Sequence, residues 1–215
     1  MPARRGQVGA VPRRARPLPE RKRERKRQEI LTVAASLFAR QGYRATTMEQ
    51  LADHFGFTKP ALYYYIGSKE KLLVALLNDA FDKLEAAIDE ARHVSDDAGE
   101  RLRRLMQLHV ELATADTKVL FGLVVVDSRD STVGRELMDS TWAASRKYLH
   151  DVAELAADAQ ASGVLPAGVD RTVAALGIIG MCTWVAWWYR PMGRLRPAEI
   201  AEDFARLLLR DSRRS

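Results

Sequence analysis

The sequence predicts an all-α chain in two parts, a small three-helix head followed by a larger helical body. Three observations carry that expectation. Apolar residues recur at three- and four-residue steps through most of the 215 residues, while few stretches alternate with period two. Residues 46–66 spell two short capped segments hinged on a glycine, the pattern of a helix-turn-helix. A long apolar stripe then runs from Ser68 to about Arg92 and joins head to body. With 47% apolar residues, the chain is long enough to bury a sizeable core.

In chain order, the first feature is charge. The formal net charge of +6 is unevenly spread: residues 1–27 hold eleven of the 34 Lys and Arg against Glu20 and Glu24, a segment charge of +9. The remainder carries 23 basic and 26 acidic residues, or −3. Residues 1–22 are therefore expected to be a basic, disordered arm. Arg13, Arg14 and Arg16 suit a DNA minor groove; the plain alternative is a solvated tail. No apolar stretch follows them, so a secretory signal is not expected.

The head spans 23–67. From about Glu24, Ile30, Val33, Ala34, Leu37 and Phe38 form a helical stripe that Gly42 stops. Thr46 with Glu49 reads as a capping box opening the second helix, which ends near His54. Gly56 supplies the left-handed residue of the turn, Thr58 caps the third helix and Pro60 sits in its first turn. Ala52 and Leu62 have the spacing at which crossing helices touch. A tight corner in any helical protein shares that much. The third helix adds Thr58, Lys59, Tyr63 and Tyr64 on its open side, and Lys69 follows. Hydroxyls, phenols and ammonium groups around a helix N-terminus suit phosphate oxygens and base edges. Thr46, Thr47, Tyr64 and Lys69 are expected to anchor phosphates, while Thr58, Lys59, Pro60 and Tyr63 approach bases and Ala61 completes the DNA-binding set.

The segments G-Y-R-A-T-T-M-E-Q-L-A, G-F-T-K-P-A-L-Y-Y-Y-I and S-K-E-K-L-L, between about Gln28 and Leu73, resemble the DNA-binding domain of the TetR family of transcriptional repressors. One departure is the pair Tyr65-Ile66, where many members carry histidine then phenylalanine. The resemblance implies a helix-turn-helix head whose third helix enters the major groove, and a body that binds an effector and pairs with a second copy.

The body, 68–215, opens with the long connecting helix, whose inner side is Leu73, Leu76, Leu77, Ala80, Leu84, Ile88 and Ala91. The acidic run D-D-x-x-E at 96–100 reads as a cap built on Asp97 and Glu100, so no metal is expected there. Leu102, Leu105, Met106 and His109 share the next stripe. A short apolar helix, Lys118 to Asp127, contains Phe121 and Val125, and a longer one, about Thr132 to Ser162, presents Trp142, Ser145, Tyr148, Leu149, Val152 and Leu155 inward. Met106, His109, Phe121, Val125, Trp142 and Ser145, with Trp184 and Trp188 later on, are the candidates to line an effector cavity. An ordinary core would use the same residues.

From Thr172 to Tyr189 run 18 uncharged residues, near the lower limit for a membrane span. Two threonines, two glycines and the clustering of tryptophans at one end favour a helix buried on most sides instead, and no membrane partner is expected. Pro197 opens the last helix. Val173, Leu176, Gly177, Gly180 and Trp187, with Ile200, Phe204, Leu207 and Leu208, are expected at a homodimer interface, as the resemblance implies. The tail M-C-T-W-V-A-W-W-Y-R-P-M-G-R-L-R-P-A-E-I-A is similar to members that sense acyl-CoA thioesters.

The single cysteine, Cys182, excludes an internal disulfide and any cysteine-based zinc cluster, and a cytoplasmic location is consistent with that. The expected function is that of a regulator released from a double-stranded, near-palindromic operator by a small apolar effector, with no catalytic residues and no cofactor. An effector-independent basic DNA-binding protein is the alternative. A helical enzyme is a remote one, since G-x-S-x-G, H-E-x-x-H and glycine-rich phosphate loops are all missing from the sequence.

Overall fold

The computed structural model describes residues 20–115 and 135–210. The arm through residue 19, the segment 116–134 with Phe121 and Val125, and residues 211–215 lie outside them. Every regular element among the described residues is helical: α1 Glu20–Gln41, α2 Met48–His54, α3 Lys59–Ile66, α4 Lys69–His93, α5 Ala98–Thr114, α6 Arg135–Ala161, α7 Arg171–Trp188 and α8 Pro197–Leu208.

Helix α1 begins at Glu20, earlier than its apolar stripe predicts. Its first turns are held by pairs at helical spacing rather than by burial. Arg27 donates to Glu24 at 3.4 Å, Gln28 donates to Glu24 at 3.0 Å, and Lys26 pairs with Glu29. A reading anchored on apolar spacing misses such turns. Gly42, at φ +85°, ends the helix as expected.

The cap of α2 falls one residue later than predicted. Thr47 is the N-cap and Gln50 its reciprocal partner: Gln50 N donates to Thr47 Oγ1 at 3.2 Å and Thr47 N donates to Gln50 Oε1 at 2.8 Å. In a T-T-M-E-Q string both registers satisfy the capping pattern, and tertiary context decides between them. Thr46 is fully buried, and its hydroxyl donates to the Gly42 carbonyl at 2.9 Å.

Two hydrophobic cores divide the molecule, and the boundary falls inside α4. Ile30, Ala34, Phe38, Leu51, Ala52 and Leu62 pack with Leu72, Leu73, Leu76, Leu77 and Ala80 of α4 to close the head. From Leu84 onward, α4 contributes instead to the body core, with Leu102, Met106, Val152, Ile178 and Val185. In the body, α4 packs on α5 and α6, α7 on α5 and α6, and α8 on α5. Asp151 of α6 ties α6 to α4: Arg92 reaches it at 2.8 Å, and Lys147 bridges it at 3.1 Å and Glu85 at 3.4 Å. Burial alone would raise the Asp151 pKa, but the bonds from Arg92 and Lys147 outweigh it and hold the carboxyl below its ordinary value. Asp97 caps α5 through Glu100 N at 2.8 Å, the role read from the acidic run.

Helix α7 differs from expectation. It is long and apolar enough to cross a membrane, yet it is not buried on most sides within the chain: four of its 18 residues are buried. Ala175, Ile178, Cys182 and Val185 face the body core, while Val173, Leu176, Trp184 and Trp187 are exposed. An all-round apolar sequence conceals this, because it carries no polar face to mark the side away from the core. In α8, Ile200 is 2% exposed within the body core, so it is not a surface residue as predicted, whereas Leu207 is 77% exposed. Phe204 and Leu208 are partly buried against that core.

Candidate nucleic-acid interface

The α2–α3 corner is built by backbone bonds that the sequence dictates. Gly56 adopts φ +62°, and Phe57 N then donates back to the Ala52 carbonyl at 2.8 Å while Gly56 N donates to Asp53 at 3.1 Å, satisfying two end carbonyls of α2. Thr58 Oγ1 accepts from Ala61 N at 3.4 Å and starts α3 with Pro60 in its first turn. Leu62 and Ile66 turn inward, which leaves Thr58, Lys59, Pro60, Tyr63 and Tyr64 on the exposed side and Ala61 half-buried between them.

Around that face the neighbours are charged and aromatic. Lys59 pairs with Glu49 across the corner. Lys69, half-buried, donates to the Arg44 carbonyl at 3.3 Å and lies 4.2 Å from the Tyr43 ring centroid, so it pins the start of α4 to the α1–α2 turn. Thr47 is exposed at the start of α2, but the buried Thr46 has no hydroxyl to offer a phosphate, and the anchoring expectation for it is corrected accordingly. Two further contacts went unnoticed in the sequence. The Arg23 guanidinium sits 5.1 Å from the Tyr64 ring centroid, and the Lys26 ammonium 5.6 Å from that of Phe55. A basic run beside an aromatic-rich segment is the signal that could have paired them, though nothing in one sequence sets the register.

In the body, His109 is buried and uses both ring nitrogens: Nδ1 is 2.7 Å from the Tyr148 hydroxyl and Nε2 is 3.0 Å from Thr183 Oγ1. Burial pushes the imidazole down to about 4 and the adjoining Cys182 thiol up to about 12, so both stay neutral at pH 7. The cluster links α5, α6 and α7 through one polar point in an apolar interior. Met106 is buried beside it and Ser145 is half-buried. Trp142, Trp184 and Trp188 do not join them. All three are exposed, and Trp184 packs against Trp187 at 5.9 Å on the outside of α7. Their inward placement from sequence is corrected, since a tryptophan run reads as core until the helix has a direction.

The geometry of the head can now be set beside known proteins. Residues 30–76 match the family model described as bacterial regulatory proteins, tetR family, and residues 95–211 match that of the tetracyclin repressor-like C-terminal domain. Together they take in head and body alike. The chain belongs to the TetR family of transcriptional regulators. The TetR-family repressor KstR2 of Mycobacterium tuberculosis is 26% identical over 189 residues, 86% of this chain and 91% of that protein. The transcriptional activator FasR of Mycolicibacterium smegmatis is 31% identical over 96 residues, and that match spans 44% of FasR's length. The crystal structure of AibR in complex with isovaleryl coenzyme A and operator DNA superposes with a TM-score of 0.74 at 30% identity, over 85% of this chain and 97% of AibR. As a TetR-family member the chain is a DNA-binding transcriptional regulator and not an enzyme.

Proposed function

We propose that this regulator is a homodimeric, cytoplasmic repressor that leaves a near-palindromic operator when its body binds an acyl-CoA thioester. The observation that supports an acyl-CoA and an operator as the two ligands is the near-full-length likeness to AibR, whose structure holds both. The likeness to the repressor KstR2 runs through head and body, whereas that to the activator FasR covers less than half of each chain, which favours repression.

In this reading the residues before α1 form the arm, α1–α3 with the first half of α4 the reader, and the rest of the chain the sensor and dimerisation unit, in place of the bounds 22/23 and 67/68 expected from sequence. Thr58, Lys59, Pro60, Ala61 and Tyr63 meet base edges, and Thr47, Tyr64 and Lys69 meet phosphates. Two heads on a twofold axis demand a twofold-related operator. Met106, His109 and Ser145 stand at the sensing end of the body. Helix α4 belongs to both cores, so a shift of its body half against α6 is transmitted to the head. The effector needs only to prefer the head spacing that does not fit DNA; a coupling of about 1–3 kcal/mol weakens operator binding roughly 5- to 150-fold.

The test is a mobility shift on a duplex selected from a randomised pool by the full-length protein, with acyl-CoA thioesters of graded chain length added. At least one should weaken binding within that range and raise the melting temperature of the protein. If none does either, the effector assignment falls. Lys59→Ala and Tyr63→Phe should change which duplexes are selected, and unaltered preferences in both would remove α3 as the reader.

A further inference from the structure

We propose that the first turns of α1, Glu20–Arg27, form a second DNA-contacting strip that grips phosphates outside the base pairs met by α3 and lengthens the operator footprint at each end. The inference rests on the DNA-binding reading above and adds a surface that the helix-turn-helix does not contain.

The first fully buried residue of α1 is Ile30, so ten residues of the helix precede its first core residue, about 15 Å at 1.5 Å per residue. An isolated helical stretch of that length is marginal in water and adds no core. What it carries is charge, with Arg21, Lys22, Arg23, Arg25, Lys26 and Arg27 set against Glu20, Glu24 and Glu29. Two of the three acids are locally engaged: Glu24 accepts from Arg27 and Gln28, and Glu29 pairs with Lys26 and with Arg25 at 3.6 Å. Among the described residues Arg21 and Lys22 enter no ion pair, and both are exposed.

Position distinguishes this strip from a merely solvated face. Arg23 lies over Tyr64 of the reading helix, and Lys26 lies over Phe55 at the α2–α3 turn. The overhang is therefore fastened to the side of the reader through Arg23 and Lys26, beside the exposed Tyr64. At about 3.4 Å of duplex axis per phosphate of one strand, a strip of this length laid along the axis spans roughly four phosphates. Cations at that distance from the bases add affinity and salt sensitivity but no sequence information.

The experiment uses the full chain and a duplex it has selected from a randomised pool, with hydroxyl-radical footprinting and affinity measured across salt. Arg21→Ala with Lys22→Ala should shorten protection at both ends of the site. For a complex with two heads it should also reduce the slope of log K against log salt by about 3 to 4. Bound sequences should stay the same, and the charge-preserving pair Arg21→Lys with Lys22→Arg should restore both footprint and slope. A double alanine variant with the wild-type footprint and slope overturns the strip while leaving α3 as the reader. A full-length chain that selects no duplex overturns the strip and the regulator's DNA reading together.

Discussion

Head and body both expose aromatic side chains, and the company those side chains keep tells the two surfaces apart. On α3, Tyr63 and Tyr64 stand among Thr58, Lys59 and, from α1, Arg23. On α7, Trp184 and Trp187 stand among Val173, Leu176, Gly177 and Gly180, with no charge on that face. A phenol can hydrogen-bond a phosphate or a base edge while its ring packs on a guanidinium; an indole among aliphatics gains most from a second dry surface. The head is closed within one chain and offers its polar side to a polyanion. The body is left open along α7 and the end of α8, which suits the proposed second copy.

The largest expected effect breaks this contrast at its open side. Leu176→Asp places a carboxylate on the exposed face of α7, outside the core of the single chain. Sedimentation should show the wild type as a dimer and the variant as a monomer, with a selected duplex bound 10²- to 10⁴-fold more weakly because the second head no longer binds at high effective concentration. Ile200→Ala serves as the control. It empties a buried site, so it should cost about 2–5 kcal/mol of chemical stability rather than dissociate a folded dimer selectively. A wild-type chain that sediments as a monomer at micromolar concentration would remove the comparison altogether.

Much of the head was legible in sequence because each of its joints has a chemical signature. Glycine at a left-handed position, threonine before proline and a serine before lysine each permit few alternatives, and Gly56, Thr58 and Ser68 stand in those roles. Where a string admits two registers, as at Thr46-Thr47, sequence could not choose. The body was legible only as helices. Apolar periodicity locates a stripe but not its partner, so Ile200 was put outside and Trp142, Trp184 and Trp188 inside. The overhang of α1 was missed for the converse reason, since it has no stripe at all.

His109 sharpens the comparison from within the body, where a polar cluster replaces the polar surface of the head. Its folded value of about 4 lies below the ordinary 6.5, so the unfolded chain takes up a proton that the folded chain refuses. The stabilisation is complete above pH ~6.5 and is lost as pH falls toward 4, by roughly 3 kcal/mol in all. His109→Gln should remove that part of the slope. Urea denaturation of both proteins between pH 7 and 4.5 reads it as a narrowing gap, and parallel curves would mean that the imidazole is not excluded from protonation.

The smallest effect sets one glycine against another. Beyond the adjoining residues and the helix's own backbone, nothing lies within 4 Å of a Cβ built on Gly56 or on Gly180, so neither substitution meets a steric block among the described residues of the single chain. Backbone conformation then decides. Gly56 is held at φ +62°, and alanine there should cost about 1 kcal/mol, with asparagine costing less because it tolerates that region. Gly180 lies inside α7, where alanine should stabilise the subunit by up to about 1 kcal/mol through helix propensity alone. Measured in the monomeric Leu176→Asp background, the two changes should have opposite signs. In the wild-type background Gly180→Ala should instead weaken the dimer, because its methyl group stands where the second copy must approach. A stabilisation of equal size in both backgrounds would mean that the open face of α7 is not where the two chains meet.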